Sequence, residues 1–296
     1  MTRDPERGVI LFNVLVIVAF MSLLVMAMVG TGDLAIARSQ RFNEAGQASL
    51  FATAGELTAV SALLQDLTDA PDTDNLKEPW ALIAQDRVEI EGGFFALAIT
   101  DAQALYNLTN LRPVTTIGAA RPDTRLLATL VANLDLAPDL ATRIGQRMAQ
   151  DPPVSALSVL TAEQVVSAAE ARALATVVTV LPLPSAINLN TAPLPVLTAL
   201  TGNPAQARLL DGVRIRKGML TATDLSAADL VPDSKSGFTT SFFHVTVTVT
   251  IGRTEQSFTT LIYRDAKASD GLLLRIVSRI RTPALFQIVG APDAAT

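Results

Sequence analysis

The chain has 296 residues, 49% hydrophobic and 17% charged, with no cysteine and a single histidine. Disulfides, thiolate nucleophiles, iron–sulfur clusters and Cys/His zinc sites are thereby excluded, and serine–histidine catalysis would have to run through His244 alone. A net charge of −5 argues against a general nucleic-acid binder, and so apolar and weakly charged a chain is not intrinsically disordered.

Residues 9–29 read VILFNVLVIVAFMSLLVMAMV, uncharged and interrupted only by Asn13 and Ser22. At about 1.5 Å of rise per residue, such a helix crosses a hydrocarbon core of roughly 30 Å. A cleaved signal peptide is the competing reading, but its apolar core is usually only about 7–15 residues and ends in a small-residue site. Arg3 and Arg7 precede the run, whereas Asp33 follows it, so the short head stays in the cytoplasm and the rest is exported. Past Asp33, Leu50, Ala54, Leu57, Val60/Ser61, Leu64 and Leu67 recur at helical spacing and predict the buried stripe of an amphipathic continuation. Pro71 ends that helix.

The period-2 patterns come next. Residues 87–91 and 94–100 flank Gly92 and Gly93 as a strand pair or hairpin. Phe243, Val245, Val247, Val249 and Ile251 alternate with His244, Thr246, Thr248 and Thr250, which predicts a strand with one buried face. Residues 252–255 turn the chain, residues 256–263 return as a partner, and residues 272–280 add a last strand. His244 falls on the polar face with no Asp or Ser pattern beside it, so it reads as an ordinary half-exposed sheet histidine.

Between these regions, residues 104–231 show almost no strand character but repeat a helix, turn, helix, tail pattern. In the first copy, residues 125–134 and 140–148 flank the turn 137–139, with the tail at 153–160; in the second, residues 195–200 and 205–216 flank the turn 202–204, with the tail at 218–225. The second copy resembles a helix-hairpin-helix unit. Its turn, Thr201-Gly202-Asn203-Pro204, has one glycine where phosphate-gripping versions want two, and Pro204 offers no N–H. Protein interaction is therefore the expected use, and no nucleic-acid partner is expected. Thr191 or Asn190 is expected to cap a helix from Ala192, with Pro193 in its first turn.

The junction Glu6-Arg7-Gly8 before Val9-Ile10-Leu11-Phe12 resembles the cleavage site of type IV prepilins and type II secretion pseudopilins. The resemblance implies a leader of residues 1–8, a cut between Gly8 and Val9, and methylation of the new N-terminus at Val9. The family's fifth mature position is usually Glu, which neutralises the N-terminal amine of the subunit assembled before it. Here it is Asn13, which has no charge for that task although its amide can hydrogen-bond. A buried unpaired ammonium is very costly, so a subunit carrying Asn13 joins poorly beneath another one and is expected at the filament tip. The bland alternative is a tolerated polar residue in an ordinary anchor.

Taken with the phrases TDAQALYNLTNL at 100–111 and INLNTAP at 187–193, the chain resembles the K-type minor pseudopilins of the type II secretion system. The implied fold class is α+β: a long N-terminal helix (9–70, transmembrane 9–30), a pilin-like small antiparallel sheet (71–103 and 236–282), and an all-α insertion (104–235). The insertion would hold two SAM-like or helix-hairpin-helix-like units, at about 112–165 and 188–231, with a tail at 283–296. The implied role is non-enzymatic: starting and capping a short periplasmic pseudopilus that helps folded proteins across the outer membrane. Implied partners are the other minor pseudopilins, the major pseudopilin, the prepilin peptidase and the inner-membrane assembly platform. Alternatives are a minor pilin of a type IV pilus-like or DNA-uptake system, or a single-span membrane-anchored adaptor. Some relatives bind calcium; Asp224, Asp229 and Asp233 are acids of the insert, yet no EF-hand-like loop exists to assign ligands.

Overall fold

In the computed structural model the described residues are 6–112, 123–228, 230, 235–266, 268 and 271–282, with the side chains of 6–11, 27 and 29–34 outside the description. A single helix, α1 (Glu6–Asp69), runs for 64 residues. Among the described residues no helix is long and apolar enough to cross a membrane. Where side chains of the apolar run are described, they are uncovered: Phe12, Phe20 and Met26 are 66%, 68% and 76% exposed.

Only the C-terminal half of α1 packs, and it uses a different face from the one the leucines mark. Ala48, Ala52, Ala59 and Leu63 are fully buried, whereas Leu50 and Leu57 are 74% and 63% exposed. The reason is steric. Small residues let the helix axis approach the sheet: a Cβ built on Gly55 would lie 2.8 Å from the Phe95 ring and 3.2 Å from Val247. A leucine in place of Gly55 would hold the helix off, so at this point the sheet supplies the bulk and α1 the hollow.

A short helix α2 (Pro79–Leu82) follows, burying Trp80 edge-on against Phe243, with ring centroids 5.2 Å apart. Then come β1 (Gln85–Ile90) and β2 (Gly93–Asp101), joined by a tight turn at Gly92, φ +80°. Gly93 is obligatory for a separate reason, since an added Cβ would meet the Thr250 carbonyl oxygen at 1.6 Å.

The insert begins where β2 ends. Two-residue strands β3 (Tyr106–Asn107) and β4 (Val178–Thr179) pair in parallel, as do β5 (Ile187–Asn188) and β6 (Ser236–Gly237), so strand is as scarce in the segment as its sequence implies. Such pairings are too short to leave a period-2 pattern. Its helices are α3 (Arg125–Asn133), α4 (Leu140–Met148), α5 (Leu157–Ala162), α6 (Ala168–Leu174), α7 (Leu194–Thr201), α8 (Pro204–Lys217) and α9 (Ala222–Ala227). α3–α4–α5 and α7–α8–α9 repeat the same order, and α6 has no counterpart in the second set. Both sets share one core, in which Leu127, Leu130, Ile144 and Met148 lie with Val196, Leu197 and Leu210.

The chain then returns as β7 (Phe242–Ile251), β8 (Thr254–Arg264) and β9 (Leu274–Thr282), completing an antiparallel five-stranded sheet in the order β1-β2-β7-β8-β9. β2 and β7 pair from Gly93↔Ile251 to Asp101↔Phe243. Both ends of the insert therefore leave the sheet side by side, which lets a large helical body interrupt it without disturbing the ladder. Val245, Val247 and Val249 are buried against α1, and Thr248 and Ser257 hydroxyls pair at 2.9 Å on the opposite face. The molecule is α+β, a mixture of helices and antiparallel sheet.

Candidate functional site

The densest polar chemistry lies where α1, the sheet and the insert meet. Asp101, at the end of β2, accepts from the Gln103 amide at 2.7 Å, from Asn188 Nδ2 at 2.8 Å and from the Thr191 hydroxyl at 2.6 Å. Asn188 Nδ2 also donates to the Asp74 carbonyl at 2.9 Å, so one amide of the insert holds both β2 and the loop after α1. Asn190 Oδ1 accepts from the Leu220 amide at 2.6 Å. Asn107 accepts from the Thr109 and Leu181 amides and donates to Leu183 and Ser185.

The polar phrases thus clamp segments far apart in the chain, beyond the local capping their spacing predicts. Asn190 and Thr191 do not cap α7, because their side chains are engaged elsewhere; Pro193 occupies the N-cap position without a side-chain bond.

Behind this clamp sits Arg264 of β8. Its Nη1 donates to Asp66 at 2.8 Å and its Nη2 to Asp74 and to the Thr240 carbonyl, while the guanidinium carbon stands 4.7 Å from the Phe243 ring centre. Asp74 also accepts from the Thr240 amide at 2.7 Å. Glu78 accepts from Asn75 and, at 2.8 Å, from the Trp80 indole. Burial raises all of these acids: desolvation pushes Asp74 up to about 6 and Glu78 up to about 7, against the opposing pull of Arg264 on Asp74 and of hydrogen bonds on Glu78. Asp66 and Asp101 are raised for the same reason.

Asp66, Asp74 and Glu78 are, among the described residues, the one group of acids close enough to share a metal ion, their nearest oxygens lying within 4.8 Å of one another. Arg264 already places its positive charge on two of the three, which sets the cluster apart from an all-oxygen cation cage. Sequence reasoning missed this cluster. The signal available was Asp66, which continues the spacing of the small-residue face of α1 through Ala59 and Leu63.

The remaining candidates fall elsewhere. Asn13 lies on α1, exposed, in the apolar stretch. The side chains of Gly8 and Val9 and the leader residues 1–5 are outside the described residues, as are Asp229, Asp233 and the tail 283–296. Asp224 closes a capping box with Thr221 at the start of α9 and pairs with Lys217. At the hairpin turn, Thr201 Oγ1 accepts from the Asn203 amide at 3.2 Å and Asn203 accepts from the Ala205 amide at 2.9 Å. The amides a phosphate would need there are already bonded. His244 is half-buried on the polar face of β7, as its pattern predicts, although its Nδ1 is buried without a partner and desolvation lowers its pKa to about 4.

The architecture is that of a long-helix, antiparallel-sheet subunit interrupted by a helical body. It matches a chain of the solved GspK-GspI-GspJ complex of the enterotoxigenic Escherichia coli type 2 secretion system, with a TM-score of 0.64 and 20% identity, covering 83% of this chain and 100% of that one. The type II secretion system protein K of Pseudomonas aeruginosa is 27% identical over 321 aligned positions, 94% of this chain and 93% of that one. The Klebsiella pneumoniae protein K is 32% identical over 103 positions, 35% of this chain and 31% of that one. No protein-family model matches the chain. Over nearly its whole length the chain is thus similar to type II secretion system protein K.

Proposed function

We propose that the protein caps the periplasmic tip of a pseudopilus, starts its assembly and aids export of folded proteins across the outer membrane, without enzymatic activity of its own. Residues 9–30 anchor it in the inner membrane in a single pass, with the N-terminus cytoplasmic and the globular part periplasmic. The prepilin peptidase cuts between Gly8 and Val9 and Val9 is methylated. Its neighbours are the other minor pseudopilins, which supports reading the solved three-protein complex of its relative as the tip arrangement, and below them the major pseudopilin on the assembly platform. The pilin-like parts are 71–103 and 236–282, and the insert is 104–235.

The observation that carries this reading is Asn13. No carboxylate occurs from Val9 to Gly32, so nothing in the apolar part of α1 can neutralise the amine of a subunit above. The Val9 amine can still be neutralised by a subunit entering below. In cells with the peptidase, the assembled protein should begin at Val9; an intact leader there overturns the reading. Asn13→Glu should let the subunit enter along the filament, and recovery of that variant only at filament ends overturns the tip assignment.

A further inference from the structure

Three buried carboxylates, Asp66, Asp74 and Glu78, crowd one guanidinium. Their exposures are 2%, 0% and 8%, so water cannot share the excess negative charge. Asp66 uses Oδ2 on Arg264, but its Oδ1 is buried and has no donor. Every other oxygen of the three acids accepts at least one hydrogen bond: Asp74 from Arg264 and the Thr240 amide, Glu78 from Asn75 and the Trp80 indole. A lone acceptor facing two other acids in a dry site needs a proton, and the acids themselves are the nearest groups that can hold one.

We propose that the junction keeps a shared proton at neutral pH, carried by Glu78 and donated to Asp66 Oδ1, and that losing it loosens the loop 70–78 from the insert. The charged groups facing the pair are Asp66 from α1, Asp74 from the loop, Asp101 from the end of β2 and Arg264 from β8. Lys77 neighbours them in sequence but is exposed and runs alongside Gly218. The Trp80 indole donates to Glu78, and Trp80, Phe243 and Leu63 belong to one apolar cluster.

The loop is the strap between the two bodies. Asp74 receives Asn188 of the insert on its carbonyl, and its own amide donates to the Phe238 carbonyl at 2.9 Å. Ionising Glu78 puts a third negative charge beside Asp66 and Asp74, and the segment free to relieve that repulsion is this strap. The desolvation that raises Glu78 to about 7 agrees in direction. The unfolded chain releases this proton near the ordinary glutamate value and the folded one only near neutrality, so stability is fully present in acid and falls as pH rises through that window.

The test uses the full chain in detergent micelles. Wild type should show the infrared carbonyl band of a buried protonated carboxyl group at pH 6, lost above pH 8 together with faster amide exchange in residues 70–78 and 186–190. Glu78→Gln keeps a neutral donor for Asp66 Oδ1; it should lose the band, keep slow exchange at pH 8, and show a smaller fall in thermal midpoint from pH 5 to pH 8 than wild type. Absence of the band in wild type at pH 6, or equal pH profiles for the two proteins, overturns the proposal. So does a calcium chloride-dependent rise in the wild-type midpoint at pH 8 that Glu78→Gln abolishes, since the cluster would then hold a metal.

Discussion

Asp101 and Asn188, 87 positions apart, are joined by a hydrogen bond of 2.8 Å between the last residue of β2 and the last residue of β5. Replacing Asp101 by Ala would leave the Gln103 amide and the Thr191 hydroxyl without this acceptor and remove one of the two acceptors of Asn188. Unmade bonds of this kind cost about 1–3 kcal/mol each when buried, so a loss of about 2–4 kcal/mol is expected for Asp101→Ala. Urea denaturation of the full chain in micelles measures it, and a midpoint equal to that of wild type would contradict the clamp.

Arg264 is the counterpart on the sheet side. Arg264→Met fills similar volume but strands Asp66 and Asp74, and removing one partner of a buried ion pair costs about 3–5 kcal/mol. Both acids then gain pKa, so the variant should recover most stability below about pH 5, where unfolded carboxylates also begin to hold protons. The same urea series at two pH values reads this. A deficit that is the same at pH 4.5 and pH 7.5 would show that packing on Phe243, and not charge, is what Arg264 supplies.

The helix–sheet contact shows what was legible in the sequence. Alternation in Val245, Val247 and Val249 marks the buried sheet face directly, because β side chains alternate whatever lies opposite. On α1 the leucine spacing pointed to the wrong face. Helical periodicity identifies a stripe, but it does not say whether that stripe meets this chain's own sheet or another surface, and close packing favours Ala48, Ala52 and Gly55. The two faces make opposite predictions. Gly55→Leu must displace the Phe95 ring and should cost about 1–3 kcal/mol, whereas Leu57→Ala on the exposed face should stay within about 0.5 kcal/mol. Thermal unfolding of both variants decides between them; the reverse ranking would restore the leucine stripe as the packed one.

The junction was half legible. The phrases at 100–111 and 187–193 drew attention because asparagines gather there, yet Asn188 and Asn190 work through long-range bonds that no local spacing encodes. Asp66, Asp74, Glu78 and Arg264 are ordinary surface residue types until the fold buries them together.

His244 should titrate with the opposite sign to the junction acids. Its ring sits against the sheet with Nδ1 enclosed, and desolvation lowers its pKa to about 4 from an ordinary value near 6.5. The unfolded chain therefore binds a proton that the folded chain refuses between those values, and stability contributed by the neutral ring is lost as pH falls through the window. Glu78 and Asp74 act the other way, gaining as pH falls, so the wild-type profile between pH 4 and pH 7 should be flatter than either contribution. His244→Phe removes the histidine arm alone. It should leave a profile that rises more steeply toward acid, by about 1–3 kcal/mol over that range, while changing stability little at pH 8. A variant profile parallel to wild type would mean that the folded protein protonates His244 as readily as the unfolded chain does, with the ring reaching water despite its place in the sheet.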